Sequence, residues 1–185
     1  MTNQTPAEKT IEAAQRLFFA LWPDEGVRQR LAEIAAAAGA SNSGRLIPAD
    51  NLHITLVFLG TLDNMRRQCA EQVAASIRGE RFTLVLDQIG YWSRPRILWA
   101  GASRIPDALL GLAGELQAGL TSCGITPEDR PYQAHVTLMR KVNKRPALLV
   151  APDPIVWDVE RFWLVESVSG NNGVLYRPLV SWPLA

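Results

Sequence analysis

The chain has 185 residues, a mass of 20.4 kDa and a formal net charge of +1 from 19 basic and 18 acidic side chains. That length suits one domain or two small lobes sharing a core, and 48% apolar residues make such a core attainable and exclude global disorder. Balanced charge excludes a protein held to DNA by bulk electrostatics but leaves room for a small phosphate site. The longest apolar stretches, such as Leu52 to Leu59, fall far short of the roughly 20 residues a membrane helix needs. Met1 to Thr10 is polar and carries no apolar signal segment, so a cytoplasmic protein is expected. Two cysteines, Cys69 and Cys123, are then expected as reduced thiols.

After a polar lead over residues 1–14, Arg16 to Trp22 (RLFFALW) reads as a buried strand. Asp24 caps a helix whose stripe is Val27, Leu31, Ile34 and Ala38, with Gly39 as its stop. A turn-rich segment, Ser41 to Gly44, leads through Pro48 to a strand from Asn51 to Gly60. Asp63 caps the next helix, with Met65, Cys69, Val73 and Ile77 on its apolar face. Strands follow at Phe82 to Leu86 and Ile97 to Ala102. A helix then runs from Pro106 through Leu109, Leu112, Leu116 and Leu120 to a stop at Gly124. A loop from Thr126 to Pro131 feeds a strand from Tyr132 to Met139. Two late strands, near Val159 to Ser167 and Val174 to Trp182, flank the hairpin signal Gly170-Asn171-Asn172-Gly173. The pattern predicts a mixed α+β fold.

The order strand, helix, histidine occurs twice. Phe18 to His53 spans 35 residues and Trp99 to His135 spans 36, which suggests two similar lobes facing each other with no linker between independent domains. The two histidines are the only ones in the chain, and both open the same pattern: His53-Ile54-Thr55-Leu56 and His135-Val136-Thr137-Leu138. With nine threonines in the chain, chance would place one two positions after both histidines about once in four hundred sequences.

Side chains alternate along a strand, so each histidine shares a face with its threonine while Ile54, Leu56, Val136 and Leu138 enter the core. Two imidazoles and two hydroxyls converging across a cleft suit a phosphodiester. One neutral imidazole accepts a proton from water, one imidazolium protonates the departing oxygen, and the hydroxyls hold the non-bridging oxygens. A 2′,3′-cyclic phosphate needs only that one acid and one base, and no cofactor or metal. Two histidines without clustered cysteines or carboxylates are too few for a zinc site. No Gly-x-Ser-x-Gly elbow, Walker loop or dinucleotide glycine pattern is present.

Paired H-x-T-L motifs about eighty residues apart resemble the 2H phosphoesterase superfamily. Within it the chain is similar to the RNA 2′,3′-cyclic phosphodiesterases, also called 2′-5′ RNA ligases. RLFFAL, NLHITLVFLG, RPYQAHVTLMR and LYRPLVSWPL carry the similarity in order, from about Gln15 to Leu184. The resemblance implies one 2H phosphoesterase domain over residues 1–185, with two pseudo-symmetric lobes, each an antiparallel sheet with packed helices, around a central cleft. It implies metal-independent opening of RNA terminal 2′,3′-cyclic phosphate to a 2′-phosphate, with His53 as proton donor and His135 as proton acceptor; the residues alone do not tell the two apart. Thr55 and Thr137 would bind phosphate. Expected partners are RNA with 2′,3′-cyclic phosphate ends or small cyclic nucleotides, with no membrane and a monomeric protein. Two alternatives stay open: a 2′-5′ RNA ligase joining tRNA halves at the same site, and a non-catalytic module that binds RNA ends or nucleotides. Ala134 departs from the proline many relatives carry before the second histidine.

Three further residues are substrate-binding candidates. Arg140 is common at its position in the family, but strand parity turns it away from His135 unless the strand ends or bulges near Met139. With Lys141, Lys144 and Arg145 it forms a basic cluster that would either hold RNA phosphates or be a solvated loop. Tyr132 and Phe18 are candidate stacking surfaces for a base. Trp99, Trp157, Trp163 and Trp182 are expected in packing, and Cys69 in the core.

Overall fold

The computed structural model describes residues 14–40, 43–126, 128, 130–143, 153–170 and 173–185. In chain order they form β1 (Gln15–Leu21), α1 (Glu25–Ala40), β2 (Arg45–Leu46), a 3-10 turn (Ala49–Asn51), β3 (Ile54–Leu62), α2 (Asn64–Ser76), β4 (Phe82–Leu86), β5 (Gln88–Trp92) and β6 (Ile97–Gly101). Then come α3 (Asp107–Leu120), a second 3-10 turn (Thr121–Cys123), β7 (Val136–Arg140), β8 (Ile155–Val159), β9 (Arg161–Gly170) and β10 (Gly173–Pro183).

The helix boundaries follow from side-chain caps. Asp24 Oδ1 accepts from the Val27 amide at 2.9 Å and Asp63 Oδ1 from the Arg66 amide at 2.8 Å, satisfying N–H groups that the helices leave unpaired. After α3, Gly124 takes the left-handed conformation at φ +68° and turns the chain out of its second 3-10 turn. All four expected leucines of α3 are buried. Of the stripe expected for α2, Cys69, Val73 and Ile77 pack against the main core, whereas Met65 at the start of the helix is exposed and Ala70 and Ala74 are the fully buried positions. The late region holds three strands rather than two, since Glu160 breaks the run between β8 and β9. β5 was not expected; its central glycine, Gly90, leaves room for the Trp99 ring, which lies 1.9 Å from where a Cβ would stand. Asn171 and Asn172 lie outside the described residues, but Gly170 pairs with Gly173 on either side of them.

The strands build an antiparallel sheet in the order β10-β9-β1-β3-β7-β6-β5, with β2 beside β7; β4 and β8 form a separate pair. The expected α+β architecture and internal repeat are both visible. β1, α1 and β3 have their counterpart in β6, α3 and β7, with β9 and β5 flanking. The two lobes do not keep separate sheets: one bridging pair, Ile54 with Val136, joins β3 to β7. Ile54, Leu56, Val136 and Leu138 all enter the main core, together with residues of β1, α1, α3, β4 and β8. The opposite face of the first lobe carries a smaller cluster of Phe18, Ala20 and Val165.

The cysteines are also corrected. Cys69 of α2 and Cys123 of the second 3-10 turn form a disulfide, their Cα atoms 5.7 Å apart. α2 packs against the end of α3, so two residues 54 positions apart in sequence meet at bridging distance. Cys69 is core, as expected, but bonded, and the bond withdraws the reduced-thiol ground for a cytoplasmic location. No helix among the described residues is long and apolar enough to cross a membrane. Thiol titration of the denatured, unreduced protein is expected to find no free cysteine. Paired Cys69→Ser and Cys123→Ser substitution is expected to lower the unfolding free energy by roughly 3–4 kcal/mol, read by denaturant melts.

Candidate active site

Antiparallel pairing of Ile54 with Val136 sets His53 beside Thr137 and Thr55 beside His135. All four side chains are half-buried and stand on the face away from the main core. Both histidines sit just before their strands rather than within them, as β3 and β7 begin at Ile54 and Val136. The two motifs thus lie side by side, each histidine at the register position opposite the other motif's threonine.

Each imidazole is tethered in the same way. His53 Nδ1 lies 2.7 Å from the Asn51 carbonyl and His135 Nδ1 lies 2.7 Å from the Gln133 carbonyl. A carbonyl oxygen only accepts, so both Nδ1 atoms carry hydrogen and both Nε2 atoms are left for chemistry. Thr55 Oγ1 lies 3.1 Å from His53 Nε2 and donates to its lone pair.

The surroundings differ. His53 packs against Phe18 with ring centroids 4.9 Å apart, against Tyr176 at 4.9 Å and parallel to Trp22 at 5.7 Å. His135 meets Trp92 edge-on at 4.5 Å, and Trp92 in turn leans on Trp99. Burial pushes His53 down to about 4, only partly offset by its bond to Asn51, with the charges of His135 and Arg140 lowering it further. Burial also lowers His135, opposed by the Gln133 bond and aided by Arg130 and Arg140.

Arg140 acts on both histidines because the strand bulges. Leu98 pairs with Met139 and Trp99 with Thr137, so β7 holds one extra residue at Leu138. The extra residue reverses parity, and Arg140 shares the face of His135 and Thr137. Lys141 follows at φ +56°, while Lys144 and Arg145 lie outside the described residues.

A cavity of about 580 Å³ opens beside His135 and Thr55, lined also by Phe58, Trp92, Arg94, Arg130 and Tyr132. Tyr132 therefore reaches the cleft, but its hydroxyl is buried without a partner and burial raises its proton affinity. Phe18 is 3% exposed and lies under His53, so it is corrected from a base platform to a packing residue. Phe58, 45% exposed at the cavity, is the better apolar surface. Its signal was hidden, because register shifts between β1 and β3 turn it out of an apparently continuous apolar run. Trp157 is buried, and Trp163 and Trp182 pack on the late strands. Among the described residues no three His, Cys, Asp or Glu side chains cluster closely enough to hold a metal.

The chain and its fold have counterparts among known proteins. Residues 22–171 match the model of the 2′-5′ RNA ligase superfamily, and the chain belongs to that family. The RNA 2′,3′-cyclic phosphodiesterase of Escherichia coli (strain K12) is 34% identical over 172 residues, covering 92% of this chain and 97% of its own length. The protein of the same name from Thermus thermophilus is 31% identical over 184 residues, covering 91% and 90%. The crystal structure of E. coli LigT complexed with 3′-AMP superposes with a TM-score of 0.87 at 32% identity, covering 92% of this chain and 98% of that one.

The depressed His53 has a consequence for stability. Below its ordinary value of 6.5 the unfolded chain takes up a proton that the folded chain refuses until pH falls to about 4. The unfolding free energy is therefore expected to fall across that window, by up to about 3 kcal/mol from this group. Denaturant melts from pH 7 to pH 4 check this, and His53→Gln is expected to flatten the fall.

Proposed function

We propose that the chain hydrolyses the 2′,3′-cyclic phosphate at RNA ends to a 2′-phosphate, without a metal, using His53 as proton donor and His135 as proton acceptor. The observation that supports the reading is the Ile54–Val136 pairing, which sets the two motifs side by side across the β3–β7 seam, with each histidine tethered through Nδ1 so that its Nε2 is left for chemistry. His135 Nε2 takes a proton from water, whose oxygen attacks phosphorus. The bond from phosphorus to the 3′-oxygen breaks, and His53 Nε2 delivers its proton to that oxygen. Thr55, Thr137 and Arg140 hold the non-bridging oxygens as charge builds on them. Phe58 offers the face on which the terminal base stacks, with Tyr132 beside it.

The proton on His53 comes with the substrate. In the empty cleft burial keeps this imidazole neutral, and Thr55 donates to its Nε2. An anionic phosphate favours the imidazolium. Once Nε2 is protonated it no longer accepts from Thr55, whose hydroxyl is then free to turn to the phosphate. Protonating the acid and engaging the phosphate are one event.

A second reading rests on the cavity. It opens on the His135 side, where the attacking oxygen is activated, and has room for more than water. A 5′-hydroxyl placed there would attack the cyclic phosphorus in place of water, its proton passing to His135 while the bond to the 3′-oxygen breaks and His53 protonates that oxygen, leaving a 2′-5′ linkage.

The test is to incubate the protein, with chelator present, with a short RNA ending in a 2′,3′-cyclic phosphate and identify the products. A 2′-phosphate end is expected, with kcat reduced at least about 100-fold in His53→Ala and in His135→Ala. Formation of a 3′-phosphate, or activity that chelator removes and a divalent ion restores, would overturn the reading. Adding an RNA with a 5′-hydroxyl end scores ligation in the same assay. Because both free-enzyme histidines are depressed, kcat/KM is expected to be bell-shaped with its maximum below pH 6.5, and kcat to peak at higher pH. A flat profile from pH 5 to pH 8 would contradict paired-histidine catalysis.

A further inference from the structure

The repeat that produces two equivalent histidines does not support them equally. His53 is tethered through Asn51, and Asn51 is the one polar residue in the buried core among the described residues, 5% exposed. Its side chain makes two hydrogen bonds, both to β10: Nδ2 donates to the Val174 carbonyl at 2.7 Å, and Oδ1 accepts from the Tyr176 amide at 2.9 Å. The amide group behaves as a single residue of strand paired to alternate positions on the outer edge of β10. Its own N–H is bound to the Pro48 carbonyl at 2.9 Å, and its carbonyl receives His53 Nδ1–H.

These bonds close the first lobe. The sheet runs β3-β1-β9-β10 and curls until its outermost strand reaches the residue that leads into β3. The same strand brings Tyr176 edge-on against the His53 ring, so the amide clamp and the ring contact come from adjoining atoms of β10. In the second lobe the corresponding order is β7-β6-β5, and no strand matches β10 there among the described residues. Gln133, the counterpart of Asn51, is exposed, and only its carbonyl bonds to its histidine.

We propose that Asn51 is a positioning residue that ties the β9–β10 hairpin to His53, fixing its Nδ1–H tautomer and ring orientation through a side-chain clamp that His135, tethered only to the Gln133 carbonyl, does not have. A buried carboxamide with both its polar atoms hydrogen-bonded to one strand is costly to disturb. A carbonyl fixed in this way leaves Nε2 pointing along one line into the cleft, as a proton donor to a single oxygen requires. His135 acts on water, which adjusts to the imidazole, and so needs less restraint. This assignment of roles rests on the proposed reaction, whereas the tether itself does not.

The chain contains only these two histidines, so 15N-resolved NMR of the imidazoles reads each without ambiguity. In the unaltered protein at neutral pH both rings are expected as the Nδ1–H tautomer, each titrating below 6.5 and His53 at about 4. In Asn51→Ala the His53 ring is expected to become a tautomer mixture and to titrate at higher pH, while His135 keeps its signals. Gln133→Ala is expected to leave both rings unchanged. With cyclic-phosphate RNA, Asn51→Ala is expected to lower kcat at least about tenfold with KM nearly constant, and Gln133→Ala to do neither. Asn51→Asp keeps the acceptor for the Tyr176 amide and the side-chain volume but loses the donor to Val174; it is expected to shift the His53 titration in the same direction. A folded Asn51→Ala or Asn51→Asp protein with the His53 tautomer and titration unchanged would overturn the proposal. An unaltered protein with no turnover would overturn the reaction proposed above, and the NMR readout would still decide the tether.

Discussion

The site depends on one pairing, Ile54 against Val136, where the sheets of the two lobes meet. It joins β3 to β7, buries an apolar side chain of each motif in the common core, and sends the neighbouring histidines and threonines to the opposite face. The strand period of two does the rest, since the residues flanking a buried pair must point the other way. A shift of either strand by one residue would bury the histidines and expose the core. The geometry of the candidate site and the stability of the sheet are therefore held by the same contacts.

Much of this was legible in the sequence because it is local. The motif spacing gave the face shared by histidine and threonine, the caps at Asp24 and Asp63 gave helix starts, and the repeat gave two lobes. Features that depend on distant partners were not legible. Asn51 bonds to residues 123 and 125 positions away, and Cys69 to one 54 positions away, separations at which sequence pattern carries no register. Phe18 and Phe58 look alike as members of apolar strands, and which of them is exposed depends on register shifts that only the paired sheet defines. Arg140 stood between these cases: its reach was conditional on a bulge, which β7 supplies at Leu138.

The pseudo-symmetry of the chain is broken by an addition to one lobe. β10 extends the first lobe beyond what the repeat requires, and its edge supplies the amide clamp, the Tyr176 contact and part of the burial around His53. The second lobe, without that strand, leaves His135 beside an open cavity with Trp92 as its aromatic neighbour. Two motifs of nearly the same sequence thereby acquire different surroundings, the difference on which the proposed division into proton donor and acceptor relies.

The convergence of both motifs on a single phosphate is tested most directly by a crystal structure with a nucleoside 2′-phosphate in the cleft. The account predicts one phosphate group with oxygens about 3 Å from both Nε2 atoms and from the hydroxyls of Thr55 and Thr137. A phosphate held by one motif alone, or seated away from the Ile54–Val136 crossing, would contradict it.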